Sequence, residues 1–342
     1  MLKGDAEYSR KQSTLDNIWE DEMKIGMVSD SLANLSFDEM LDAAAALGVE
    51  GVEINTGNWS EAPHIKLPEL LSNPSKQAEF TRKFSDKGLS LIALNANGNQ
   101  LHPVDGERQS GVVIDTIRLA GALGVEKVCL MSGLPGGCKD DTVPNWIVSS
   151  WPPETQQIIE WQWNEKLLPY WHSLVQTACE NGVSRLCIEM HGNQLVYNVP
   201  SLLKLRQSVG EVVGANLDPS HLFWMGADPL VAVDALGPAI YHVHAKDTFI
   251  NHPMRGATSL LENGSLMDIA ARSWSYVTLG YGHPESWWRD FCYRLRMRGY
   301  DGWLSIEHED ILVSRSEGVR RSVQLLQAVM PVEQGDYNPQ LV

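Results

Sequence analysis

From Lys24 onward, short apolar runs of strand length alternate with amphipathic stretches of helical period, eight times in succession. The first run, Lys24 to Ser29, leads into a helix that Ser36 caps, with Asp38 and Glu39 in its first turn and Gly48 at its end. Gly51 to Asn55 predicts a second strand, with a helix over about 74–87. Leu89 to Asn95 predicts the third, with a helix over about 109–123, and Lys127 to Met131 the fourth. Strands five to eight end on Glu189, Asp218, His244 and Glu307, with helices over about 165–181, 200–209, 228–236, 284–298 and 316–330. Two stretches interrupt the rhythm. Ser132 to about Trp163 is an insertion carrying Trp146, Trp151, Trp161 and Trp163, and Thr248 to His283 is a second excursion that carries Gly280-Tyr-Gly-His283. Both are too long for plain connections in a compact domain.

Eight strand and helix repeats, with helix-closing glycines at 48, 88, 124, 182 and 299, predict an α/β protein of the (β/α)8 TIM barrel type with long loops after strands four and seven. A doubly wound sheet is the competitor, but no G-x-G-x-x-G follows any strand, so a dinucleotide site has no support. Residues 1–23 are polar and aperiodic and are expected to form an N-terminal arm. A single barrel domain is expected over 24–330, and a C-terminal tail over 331–342.

Composition narrows the function classes. At 342 residues and 43% hydrophobic content the chain can bury a large core. No apolar run is long enough to span a bilayer and the first residues lack a signal-peptide core, which points to a cytoplasmic protein without a membrane partner. Five cysteines without CxxC spacing imply no disulfide framework. A net charge of −16 would repel a phosphate backbone, so nucleic acid is not expected as a partner.

The chemistry sits where strands stop. In Val213-Gly-Ala-Asn-Leu-Asp-Pro-Ser-His221, Pro219 prevents further strand pairing, so the Asp218 carboxylate is delivered at a strand's C-terminal end, with His221 three residues on. Arg185 to His191, Ile240 to Asp247 and Trp303 to Asp310 share that grammar and deliver Glu189, His244 and Glu307. One such strand end is as often a helix cap or an ion-pair partner; four in series predict a metal site at the barrel mouth. Three carboxylates gathered there repel by about 1–4 kcal/mol per pair at about 4 Å, a penalty that a divalent cation removes. Three oxygens and one imidazole suit Mn2+ best, with Mg2+, Co2+ or Zn2+ as alternatives. Such an ion stabilises an enediolate, and Glu189 and Glu307, from strands five and eight, are the expected proton-moving pair. His191, His221, Lys246, Asn97 and Trp151 are the expected substrate contacts. Lys246 could instead act as a desolvated base or pair with Asp247, and the tryptophans could stack on a sugar or pack within their loop.

The series Glu189, Asp218-Pro-Ser-His221, His244-Ala-Lys-Asp247 and Glu307 resembles the xylose isomerase-like barrel superfamily, also called sugar phosphate isomerase/epimerase. The likeness covers about residues 24–330. It implies that Glu189, Asp218, His244 and Glu307 bind one divalent metal, often manganese, that the two glutamates move protons, and that His221 contacts substrate. The superfamily's nucleases need histidines where this chain has Asn55 and Asn95 or Asn97, which argues against that branch. The expected activity is therefore a divalent-metal-dependent sugar isomerase or epimerase of carbohydrate metabolism. The alternatives are a lyase or dehydratase acting on a 3-keto-glycoside or keto-inositol, and a non-catalytic sugar-binding barrel. A small sugar substrate and a homo-oligomer are expected, with a small partner subunit as an alternative.

Overall fold

The computed structural model describes residues 22–333. Of the expected N-terminal arm only Glu22 and Met23 fall within it, and Met23 is buried in the core; of the expected tail, only residues 331–333 do. Seven parallel strands come first: β1 (Lys24–Val28), β2 (Gly51–Asn55), β3 (Ser90–Asn95), β4 (Lys127–Leu130), β5 (Arg185–Glu189), β6 (Val213–Leu217) and β7 (Ile240–Ala245). An antiparallel pair follows, β8 (Asp247–Ile250) with β9 (Trp274–Val277). The last strand, β10 (Trp303–Ile306), lies between β7 and β1 and closes an eight-stranded parallel barrel. The (β/α)8 TIM barrel is the fold of this chain.

Local chemistry explains the element ends. In the Phe37–Leu47 helix the Ser36 Oγ accepts from the Glu39 amide while the Glu39 carboxylate accepts from the Ser36 amide, and Gly48 ends the helix at a φ of 86°. Between the outer helices and the barrel lies one continuous core, whose largest fully buried side chains include Trp171 and Trp288. Inside the barrel, toward the strand starts, Ile92, Ala93, Cys129 and Cys187 pack with Tyr241 and Trp303. There the strands must carry glycine: a Cβ on Gly51 would lie 2.4 Å from Ile92, and one on Gly214 would lie 2.3 Å from Tyr241. This packing plugs one end of the barrel and leaves the other open to chemistry.

Short helices at Leu67–Leu71 and Pro219–Met225 were not expected, and the two long excursions depart further from the expected pattern. Residues 154–163 were expected as loop, yet Glu154–Trp161 is helical and runs through a π-helical turn, Gln162–Leu167, into Leu168–Glu180. The excursion after β7 holds β8, β9 and a helix, His252–Thr258, that the period of the sequence did not suggest. All five cysteines are free. No described helix is long and apolar enough to cross a membrane.

Candidate metal centre

Glu189 is the last residue of β5, Asp218 follows β6, His244 is the penultimate residue of β7 and Glu307 follows β10. Parallel pairing levels these strand ends, with Ser305 beside His244 and Glu189 beside Asn216. Each of the four offers one ligand atom, and these atoms lie within 4.8 Å of one another. His244 Nδ1 stands 3.2 Å from both Glu189 Oε2 and Glu307 Oε2. Asp218 Oδ1 caps the Pro219–Met225 helix through the Ser220 amide at 2.7 Å, and its Oδ2 lies 3.2 Å from His221 Nε2. Asp218 Oδ2 and His244 Nδ1 are buried without a well-aligned hydrogen bond among the described residues, each lying 3.2 Å from charged neighbours, His221 Nε2 for the one and Glu189 and Glu307 for the other. The surrounding carboxylates hold the His244 imidazole well above its usual range against burial, and a hard divalent cation could take the place of that proton among the four groups.

The neighbours set the charge states. Burial works against the Glu189 carboxylate, but His221 and His244 outweigh it and hold the group well below the usual range. His221 Nε2 donates to Glu189 Oε1 at 2.8 Å and its Nδ1 lies 2.9 Å from the Tyr276 hydroxyl. Burial disfavours the charged His221, yet Asp218 and Glu189 outweigh that and push it up to about 9. Asn97 Nδ2 donates to Glu189 Oε2 at 2.7 Å. His191, its ring edge-on to His221 at 4.1 Å between centroids, is driven by burial down to about 3 and so stays neutral.

Lys246 departs from the expectation of a desolvated base. Burial pulls its pKa down, but Glu307 at 3.3 Å and Glu309 more than compensate, so the ammonium stays charged. Nor does it pair with Asp247. That carboxylate points away and accepts from the amides of Thr248, Gly280, Gly282 and His283, and from the His283 imidazole.

A cavity of about 860 Å3 opens over the cluster. Glu189, Glu307, Asn97, His191, His221 and Lys246 line it, whereas Asp218 and His244 lie beneath, sealed from it. Trp151 is the predicted contact that the structure does not bring in: it is 74% exposed and off the cavity wall. Trp59, from the loop after β2, takes the aromatic place at the rim. Three relevant residues escaped the sequence reading, namely Trp59, Tyr276 from β9, and Glu53, a carboxylate fully buried in β2. For Glu53 a signal existed, since a charge in mid-strand among residues of low polarity is rare unless paired.

The model for xylose isomerase-like TIM barrels matches residues 41–329. A Bacillus subtilis (strain 168) protein, named uncharacterized protein YfiH, is 46% identical over 307 residues, covering 89% of this chain and 98% of that one. Among solved structures, the probable 3-DHS dehydratase AsbF of Bacillus anthracis superposes with a TM-score of 0.64 at 18% identity, over 89% of this chain and 99% of its own. The IolI protein with a binding zinc atom gives 0.61 at 18%, over 90% and 98%. D-psicose 3-epimerase in the presence of D-fructose gives 0.57 at 13%, over 90% and 99%. At those identities the structural matches speak for the fold alone, while the family model and the Bacillus subtilis relative span most of the chain: it belongs to the xylose isomerase-like TIM barrel family.

Proposed function

We propose that the chain is a divalent-metal-dependent isomerase or epimerase acting on a small keto or aldo sugar. One observation carries the reading: of four converged ligand groups, two, Asp218 and His244, are sealed beneath the cavity, and two, Glu189 and Glu307, also face it. The sealed pair is beyond a substrate's reach and suits a cation; the facing pair can hold it and also reach a substrate. A cation bound by Glu189, Asp218, His244 and Glu307 would supply the positive charge that stabilises an enediolate. Manganese is the ion that this mostly oxygen donor set suits best.

The remaining steps belong to side chains. Glu189, ionised between His221 and His244 and facing the cavity, is the carboxylate placed to take a proton from a substrate carbon. Glu307, with the Lys246 ammonium against it, stands on the other strand that frames the cavity and returns or accepts a proton there. Lys246 and Asn97 present donors to substrate oxygens, His221 steadies Glu189 from the cavity wall, and neutral His191 and the Trp59 ring border the carbon chain. The neighbours in fold, a ketose epimerase and a probable dehydratase, accord with proton abstraction next to a carbonyl.

A second reading has its own support in the size of the cavity. At about 860 Å3, with Leu266, Ile311 and Leu312 along its outer part, it lies near the upper end for small-molecule pockets. That suits β-elimination from a 3-keto-glycoside that keeps an aglycone in the cavity. Metal analysis of the purified chain is expected to find about one divalent ion. Incubation in D2O with free ketoses is expected to put deuterium into the sugar, and Glu189→Gln to cut this by at least about 10²-fold with the fold intact. Aglycone release from a 3-keto-glucoside without ketose exchange would replace the first reading by the second, and a metal-free, inert protein would end both.

A further inference from the structure

The barrel interior just beneath the candidate metal centre holds a carboxylate that has no lysine or arginine partner among the described residues. Glu53 is fully buried, and its two oxygens accept from four donors. Asn95 Nδ2 reaches Oε1 at 2.7 Å, His242 Nε2 reaches Oε2 at 2.8 Å, Ser305 Oγ reaches Oε2 at 3.0 Å, and His244 Nε2 lies 3.1 and 3.2 Å from the two oxygens. Four donors occupy the lone-pair positions of a carboxylate. A buried carboxylate is costly, and a chain that only had to fill this space could do so with an apolar side chain.

His244 is the one partner that belongs to both layers. Its Nε2 faces Glu53, while its Nδ1 lies 3.2 Å from both Glu189 and Glu307. A neutral imidazole carries one N–H and one lone pair, and the partner of the N–H decides which nitrogen is which. We infer that Glu53 is a positioning residue that holds His244 as the Nε2–H tautomer, so that Nδ1 is the atom offered to a divalent cation at Glu189, Asp218 and Glu307. The inference rests on the proposed cation site. Metal-binding histidines commonly send their second nitrogen to a carboxylate, and removing it weakens binding by about 10–100-fold.

Cys129 and His242 also stand close to Glu53 and His244, and this group could itself be taken for a second ion site. The hydrogen bonds argue against that, because an ion there would have to displace four donors from Glu53.

The test uses the whole chain with histidine labelled in 15N and 113Cd2+ as the probe ion. One tightly bound Cd2+ per chain is expected, coupled to the Nδ1 of one histidine that keeps a slowly exchanging Nε2 proton. His244→Asn should remove this signal and so assign it. Coupling through Nε2 would overturn the inference, as would a second Cd2+ with thiolate-to-metal absorption in the ultraviolet. Chelator competition then compares the wild type with Glu53→Gln, expected to bind Cd2+ about 10–100-fold more weakly, and with Glu53→Asp, expected to recover part of the loss. Equal affinity in wild type and Glu53→Gln overturns the role of Glu53; a wild type that binds no Cd2+ overturns the cation site itself.

Discussion

The two excursions from the open end of the barrel make opposite use of their aromatic residues. After β4 the chain packs Trp146 and Trp163 into its own surroundings. Trp163 is buried beneath the Lys204 ammonium, 3.9 Å from the ring, and Trp146 meets Tyr197 edge-on at 5.5 Å between centroids. The loop is sewn down by Gln162 Nε2, which donates to the carbonyls of Gly136 and Asn145, and by the Gln194 side chain, which accepts from the Gly133 amide. After β7 the chain turns back as the β8 and β9 pair, with Thr248 beside Tyr276, and delivers Tyr276 to His221 and the Lys246 ammonium to within 4.3 Å of the Tyr276 ring. One excursion braces the outer helices; the other furnishes the cavity. A Trp-rich composition alone does not distinguish them, because stacking on a ligand and stacking on a neighbour need the same rings.

The comparison breaks most visibly at Asp247. It ties the root of β8 to the 280–283 loop, and a Cβ at Gly282 would fall 2.2 Å from the Thr248 carbonyl oxygen, so the approach admits only glycine. Asp247→Ala leaves several buried donors unpaired, and roughly 3–5 kcal/mol of stability should go with them. Hydrogen exchange is expected to quicken across 247–283 and stay unchanged across 132–163, with turnover lost in step. Uniform loosening of both excursions would mean that they are one unit and that the contrast is false.

A smaller effect is expected at Tyr276. Burial pushes its phenol up, so the hydroxyl stays neutral beside the charged His221. Tyr276→Phe strips a hydrogen bond from a buried imidazolium, a loss of about 1–3 kcal/mol, and turnover should fall about tenfold or more while bound metal stays at wild-type stoichiometry. Unchanged kinetics would reduce the β9 strand to a lid without chemical purpose.

These residues also show what a reader of the chain can and cannot find. Glu189, Asp218, His244 and Glu307 announce themselves because each stops an apolar run, and a barrel places such stops together. Glu53 stops nothing. All five residues of β2 are buried, since a barrel strand has helices outside and packing inside, so alternation along it separates interior from exterior and says nothing about water. Tyr276 depends on a pairing of two four-residue strands far apart in the chain, with no tight-turn signal between them. Helix 154–161 was legible in principle, as Pro153 and Glu154 are helix-start residues, but the surrounding tryptophans and prolines read as loop.

The smallest effect should come from Trp151, and it sharpens the contrast because Trp59 provides the matched experiment. Both are exposed tryptophans on loops at the barrel's open end, at 74% and 53%, yet only Trp59 lines the cavity, with its ring 5.7 Å from that of His191. Trp151→Ala should shift stability by no more than about 0.5 kcal/mol and leave kcat and KM within about twofold, as for a surface site away from packing or chemistry. Trp59→Ala should raise KM several-fold with little change in kcat, because an aromatic wall that contacts the substrate equally before and during reaction contributes uniform binding. Should the two variants exchange places, with Trp151→Ala raising KM, the excursion after β4 would have to close over the cavity during turnover, and its tryptophans would belong to the substrate after all.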